Sequence, residues 1–273
     1  MKVCYINLDS AAERRAALER NFAACNAHGW TLTRFAAVDK GSLPPEAARL
    51  DGLGPGERAC FLSHLAAIEA HGDGSDDLML VEDDALFGKG SQRAILRAID
   101  MLPRDRWDVL LTDICITDVE DMLNLFRRKR RRPADMQLMN LTKIAFAGST
   151  AYVLNKDRIA ATRRTLADPG AEALPYDLHV RRLVRAGSLA AWVIFPFVTS
   201  LSAWSDASQV QREATQGTEL LWNAFRKLIW IEPEHAEVQR CLDLIPPDLF
   251  DDREATLASR ILQGMLSGKR VSK

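Results

Sequence analysis

The sequence has no C-x-x-C pair, and its five cysteines, Cys4, Cys25, Cys60, Cys115 and Cys241, are scattered and odd in number. That argues against a disulfide framework and reads as reduced core residues. Charge of one sign is also missing. Lys and Arg total 36 against 37 Asp and Glu, a formal net charge of -1, so there is no global basic field to draw nucleic acid. No apolar run approaches the roughly 20 residues that span a bilayer. The opening stretch MKVCYINLDS has too short an apolar run for a signal peptide, and no cleavage site follows. Together these absences predict a cytoplasmic protein, with any membrane contact peripheral, at the inner membrane. A phosphate-cradling glycine-rich loop is absent too.

What is there is an ordinary globular composition: 273 residues, 47% hydrophobic and 27% charged, enough for one large α/β domain or a domain with an appendage. Residues 3–8 read as a buried strand. Ser10 and Glu13 then form S-x-x-E, a capping-box pattern opening an Ala-rich helix through about residue 27. Residues 30–39 read as a second strand, followed by a Pro/Gly-rich connection. Residues 57–71 read as a helix, with Leu62, Leu65, Ala66 and Glu69 on one face. Residues 78–81 make the next strand, 91–102 a helix and 107–116 another strand. Residues 117–142 read as less regular.

Two short strands flank Gly148, Ser149 and Thr150. Helices are expected over 157–166 and 175–187, the second between Pro175 and Gly187, and a strand over 189–197. The alternation up to residue 116 predicts a largely parallel sheet with helices on both faces. Ligands would sit beyond the carboxyl ends of its strands. The expected division is a domain over 1–208 and a helical extension over 209–273.

The stretch LMLVEDDALF drives an apolar strand straight into Glu82, Asp83 and Asp84. Three adjacent carboxylates repel one another, and each costs several kcal/mol to desolvate unless a positive charge compensates. Hard cations such as Mg²⁺ and Mn²⁺ take oxygen ligands of this kind, often together with substrate phosphates. An acidic surface turn is the plainer alternative.

The segments YINLDSAAERR, RFAAVD, GERACFLSHLAAIE, LVEDDALF, AGSTAYVLNKD and PYDLHV occur in an order that resembles glycosyltransferase family 25, over about residues 1–205. The resemblance implies a GT-A-type fold, a nucleotide-sugar donor such as UDP-galactose, Mn²⁺ dependence and inversion at the anomeric carbon. It implies a metal and diphosphate role for Glu82, Asp83 and Asp84, with Asp84 the first choice for metal contact and Glu82 the next. It places the nucleotide near Asn7 and Asp9. Arg14 and Arg15 match paired arginines of the first helix, and Ser63 and His64 a Ser-His pair on the second. Two departures stand out. Ser10 occupies a position usually basic in the family, and residues 112–132 match nothing in it.

An inverting transfer needs a general base at the acceptor hydroxyl. Asp177, at a helix start where the dipole favours the ionised form, is the candidate. His179 is a metal ligand or has no site role. Gly148, Ser149 and Thr150 offer backbone N–H groups to a sugar, or simply turn the chain. The run Arg127, Arg128, Lys129, Arg130, Arg131 and Arg132 is either a solvated block or a surface for an anionic acceptor or membrane. It has no interleaved aromatics, which argues against nucleic acid. In residues 219–232, Leu221, Phe225, Leu228 and Ile229 share a helical face, broadened by Trp222 and Trp230. Packing, a homodimer contact or interfacial membrane association would each use it.

The expected function is metal-dependent transfer of a sugar, galactose first, from a UDP-sugar to a surface glycan such as lipopolysaccharide. The rivals are a degenerate glycan- or partner-binding module and a metal-dependent phosphohydrolase or nucleotidyltransferase. The latter lacks an aspartate nucleophile followed by Thr on the first strand.

Overall fold

The computed structural model describes residues 1–132, 135–207 and 216–266. The expected domain boundary between residues 208 and 209 lies outside them. The chain runs β1 (Lys2–Asn7), α1 (Ala12–Cys25), β2 (Thr31–Ala36), α2 (Pro55–His71), β3 (Leu78–Glu82), β4 (Ala85–Phe87) and α3 (Ser91–Met101). It continues through β5 (Val109–Leu111), β6 (Cys115–Ile116), α4 (Val119–Arg131), β7 (Gln137–Asn140), β8 (Phe146–Ala147), β9 (Ala151–Leu154), α5 (Ile159–Leu166) and α6 (Tyr176–Arg185). Last come β10 (Ala191–Phe195), β11 (Thr199–Leu201), α7 (Gln216–Ile229), α8 (His235–Asp243) and α9 (Arg253–Leu266).

Seven strands form one sheet in the order β2-β1-β3-β9-β5-β10-β7. β1 pairs parallel with β2 and β3, and β5 parallel with β10, while β9 and β7 run antiparallel to their neighbours. The sheet is therefore mixed and largely parallel, as expected. Its central strands are apolar on both faces because both faces are covered. Leu78 and Leu80 of β3 join a core with Phe61 and Ile68 of α2, whereas Met79 and Val81 join a second core with Leu18 and Phe22 of α1 and Ile95 of α3. The period of two along a strand sorts adjacent residues into opposite layers.

Four sequence expectations need correction. The Ser10 capping box does not form: α1 starts at Ala12 with no side-chain cap. The chain first makes a tight turn, closed by Ala11 N donating to the Leu8 carbonyl, and Asn7 Nδ2 donates to the Ala11 carbonyl at 3.1 Å. The strand expected over 107–116 breaks after Leu111, and only Cys115–Ile116 resumes, paired with β8 in a small separate sheet. Residues 117–142 are regular after all, holding α4 and β7. Asp118 caps α4 by accepting from Asp121 N.

The fourth correction concerns the tail helix. Ile229 is buried and Phe225 packs against the core, as expected of that face, but Leu221 and Leu228 are only half-buried, while Leu220, Asn223, Ala224, Arg226 and Lys227 are buried. After α7, Glu232 accepts from the backbone N–H groups of Lys89 and Gly90 at the start of α3. The helix is stitched into the sheet domain. Among the described residues, no helix is long and apolar enough to cross a membrane.

Candidate active site

The acidic triplet sits at the carboxyl end of β3, where the chain turns straight into β4. The Glu82 N–H donates to the Thr150 carbonyl at 2.7 Å, and the Asp84 carbonyl accepts from Ser202 N at 2.8 Å. Pinned on both sides, Glu82 and Asp84 form the wall between two cavities. One, of about 280 Å³, lies along the ends of β1 and α1 and is lined by Asn7, Arg14, Ser63, His64 and the whole triplet. The other, of about 240 Å³, is lined by Glu82, Asp84, Gly148, Ser149, Thr150, Asp177 and Arg226. Cys60 borders both.

On the first side the charges are locally matched. Arg14 Nη2 lies 2.6 Å from Asp83 Oδ1 and 3.5 Å from Asp84 Oδ2. Asn7 Nδ2 donates to Asp83 Oδ2 at 2.7 Å. Burial still raises the Asp83 carboxyl above its ordinary range, against the pull of Arg14 and Asn7. Asp84 is only 8% exposed, and its Oδ1 is buried with no hydrogen-bond partner. Burial, reinforced by Glu82, pushes it up to about 7 although Arg14 opposes the shift. A buried carboxylate oxygen without a donor, at the meeting of two cavities, is the arrangement a cation would complete. Glu82 behaves differently. Burial pushes it up, but the His64 imidazole beside it, with Arg226 and Ser149, holds it below its usual range.

The second cavity brings together residues far apart in sequence. Gly148 has φ +86°, a left-handed conformation that turns β8 into β9. Its N–H donates to Asp177 Oδ2 at 2.8 Å, and Asp177 Oδ1 accepts from Leu178 N at 2.9 Å. Ser149 Oγ donates to Glu82 Oε1 at 3.3 Å.

Several expected residues serve the scaffold or stand aside. Asp9 is exposed and pairs with Arg34 at 2.5 Å, lining neither cavity, and Arg15 lines neither. Ser63 borders the first cavity, but its hydroxyl donates to the Ala59 carbonyl and accepts from Val38 N. His179 is fully buried, its ring between the Leu166 carbonyl and Arg182, so it is no part of the acidic centre.

Sequence reasoning missed Arg226. It comes from α7 and reaches Asp113, just beyond β5, through Nε at 2.7 Å. It also missed the Tyr152–Tyr176 pair, whose hydroxyls lie 2.8 Å apart. Tyr152 OH meets His64 Nδ1 at 3.0 Å, and the His64 ring stacks on Tyr176 at 4.2 Å. Neither relation has a local signal, because each joins elements distant in the chain.

The family description "Glycosyltransferase family 25 (LPS biosynthesis protein)" matches residues 1–162. The chain belongs to glycosyltransferase family 25. The match takes in β1, α2 and the acidic triplet of this family 25 glycosyltransferase and ends before Asp177 and Arg226. No curated protein matches its sequence.

Solved structures similar to this glycosyltransferase include galactosyltransferase LgtC in complex with donor and acceptor sugar analogs, at 11% identity, TM-score 0.40, covering 86% of this chain and 98% of that one. An active-site mutant of LgtC matches at 13% identity and TM-score 0.37, covering 71% of each chain. Mouse xyloside xylosyltransferase 1, in its apo form, matches at 11% identity and TM-score 0.36, covering 70% of this chain and 63% of that one.

Proposed function

We propose that this glycosyltransferase is a GT-A-type, inverting, cation-dependent enzyme that moves galactose from UDP-galactose to a lipopolysaccharide-type glycan. The observation that carries the reading is Asp84, whose buried Oδ1 has no partner at the wall between two cavities. Mn²⁺ or Mg²⁺ fits there, with Asp84 the first ligand and Glu82 the second. A divalent cation so held supplies positive charge against a departing diphosphate.

The remaining roles follow from position. The nucleotide lies in the cavity of Asn7 and Arg14, where the Arg14 guanidinium meets phosphate oxygens. The sugar passes the triplet toward Gly148, Ser149 and Thr150. Asp177 takes the proton from the acceptor hydroxyl. As that proton moves to the Asp177 carboxylate, the acceptor oxygen bonds to the anomeric carbon and the bond to the diphosphate oxygen breaks. The hydrogen bond from Gly148 N keeps the Asp177 carboxylate aimed before the transfer.

The acceptor's charge is read from α4. Arg127, Arg128, Arg131 and Arg132 line an open groove with Gln137–Asn140 of β7. A phosphorylated glycan matches that groove, and so does an anionic membrane surface at which such a glycan is presented. Lys129 stands apart from this group, since its ammonium donates to the carbonyls of Leu228 and Trp230.

The test is a panel of UDP-sugars with Mn²⁺ and a phosphorylated lipopolysaccharide core acceptor. Proton NMR reads the product's anomeric configuration. The reading expects turnover with UDP-galactose and a linkage opposite in configuration to the donor. A product that keeps the donor's configuration would refute inversion, and turnover confined to another sugar would refute the galactose assignment.

A further inference from the structure

We infer that Cys60, His64 and Glu82 form a binding site for a thiophilic divalent cation, Zn²⁺ in chemical class, that adjoins the oxygen site of Asp84 and shares Glu82 with it. Cys60 and His64 are four residues apart on α2 and so share one face of that helix. Glu82 meets them from the end of β3. The thiol sulfur, an imidazole nitrogen and a carboxylate oxygen of these three lie within 4.8 Å of one another. His64 Nε2 is 3.4 Å from Glu82 Oε1.

The second observation is the setting of the imidazole. His64 is 1% exposed, and its buried Nε2 makes no hydrogen bond of good geometry, meeting only the Glu82 carboxylate at 3.4 Å as it faces the two other groups. Its opposite nitrogen is engaged by Tyr152, and its ring is clamped against Tyr176 at an interplanar angle of 7°. A metal-binding histidine commonly has this form, with one nitrogen fixed by an outer partner and the other left for the ion. Ser149 orients the carboxylate in the same way.

The donor set decides the ion. One sulfur, one nitrogen and one oxygen suit Zn²⁺, whereas Mn²⁺ and Mg²⁺ favour oxygen alone. Three protein ligands leave a fourth position, and Cys60 borders both cavities, so an ion and a water have access. Binding forms the metal–sulfur bond as the thiol releases its proton to solvent, with no change in oxidation state. Because Glu82 is shared, Zn²⁺ here withdraws that carboxylate from the neighbouring cation and acts as an inhibitor of turnover. The site itself does not depend on the galactosyltransferase reading.

The test uses Co²⁺ as a spectroscopic stand-in on the full-length protein. Wild type is expected to develop a thiolate-to-cobalt charge-transfer band in the near ultraviolet, at one ion per chain, and to lose it when Zn²⁺ is added. Cys60→Ser, matched to wild type by circular dichroism and melting temperature, is expected to lack the band. Asp84→Asn is expected to keep it. Absence of the band in wild type would overturn the inference, as would its survival in Cys60→Ser, which would locate the sulfur at another cysteine. Loss of the band in Asp84→Asn would overturn a ligand set without Asp84. None of these outcomes depends on a nucleotide-sugar, so failure here and failure of the glycosyl-transfer reading are read apart.

Discussion

Arg226, on the tail helix α7, lies 2.5 Å from the Asp113 carboxylate through Nη2, with the side chains 2% and 0% exposed. Asp113 stands where the chain leaves the sheet after β5, and Arg226 also lines the cavity that holds Asp84 and Asp177. The ion pair therefore fixes the tail to the site. Breaking a buried pair leaves one charge without compensation and costs about 3–5 kcal/mol, whereas replacing both partners with apolar groups is often near neutral. Arg226→Met is expected to lose about that much in denaturant unfolding. The Arg226→Met, Asp113→Leu double variant is expected to recover most of it. Equal losses in single and double variants would show that the two side chains do not act as a pair.

Asp177 is expected to matter for turnover more than for binding. Asp177→Asn keeps an oxygen to accept from Gly148 N but cannot take a proton. A general base contributes about 10²–10⁴-fold, so kcat is expected to fall by about that factor while the donor KM stays within a few-fold. A variant that loses donor affinity and keeps kcat would move Asp177 from base to donor contact.

The arginine groove on α4 and the lysine beside it are expected to separate cleanly. Reversing Arg128 and Arg132 to Glu is expected to raise the KM of a phosphorylated acceptor and to weaken its dependence on salt. About 1 kcal/mol per charge is a fair scale at an anionic surface. Lys129→Met is expected to leave acceptor KM alone and to lower stability, by about 1.5–3 kcal/mol for each charge-assisted bond it gives up. Steady-state kinetics at two ionic strengths, with thermal melts, tests both.

His179 sets an acid limit on stability. Burial, then the charge of Arg182, lowers its pKa from the usual 6.5, with the Leu166 carbonyl opposing. Arg182 Nη2 donates to His179 Nδ1 at 2.8 Å, which requires that nitrogen to be unprotonated. The unfolded chain then binds a proton near pH 6.5 that the folded chain refuses, so stability is lost as pH falls below 6.5 toward the lowered folded value. His179→Gln is expected to flatten that limb. An unchanged acid limb between wild type and the variant would assign it to other groups.

Much of this was legible in the sequence where the signal is local. β3 announces itself as an apolar run, and the carboxylates that follow it do stand at a strand's carboxyl end. Gly148 marks a turn that needs a positive φ, and it lies beside Asp177 as well as Ser149. What escaped is what depends on distant partners. Residues 107–116 look like one strand because their apolar pattern is continuous, yet Thr112 bonds to the Ala151 carbonyl and to Thr199, and the chain bends there. Arg226 sits in an apolar-rich helix and looks like a surface charge until Asp113 is placed opposite it. Lys129 is indistinguishable by sequence from the arginines around it, and only the end of α7 shows that its ammonium is committed.

The most direct test of the central claim is thermal unfolding with Mn²⁺ and UDP-galactose, together and singly, on wild type and Asp84→Asn. A ligand at 100 times its dissociation constant stabilises the native state by about 2.7 kcal/mol, a shift well within reach of the measurement. The account predicts a shift in wild type that needs the cation and the nucleotide-sugar together and is lost in Asp84→Asn. An equal shift in both proteins, or none in either with any UDP-sugar, would contradict it and leave the buried carboxylate without a role in sugar transfer.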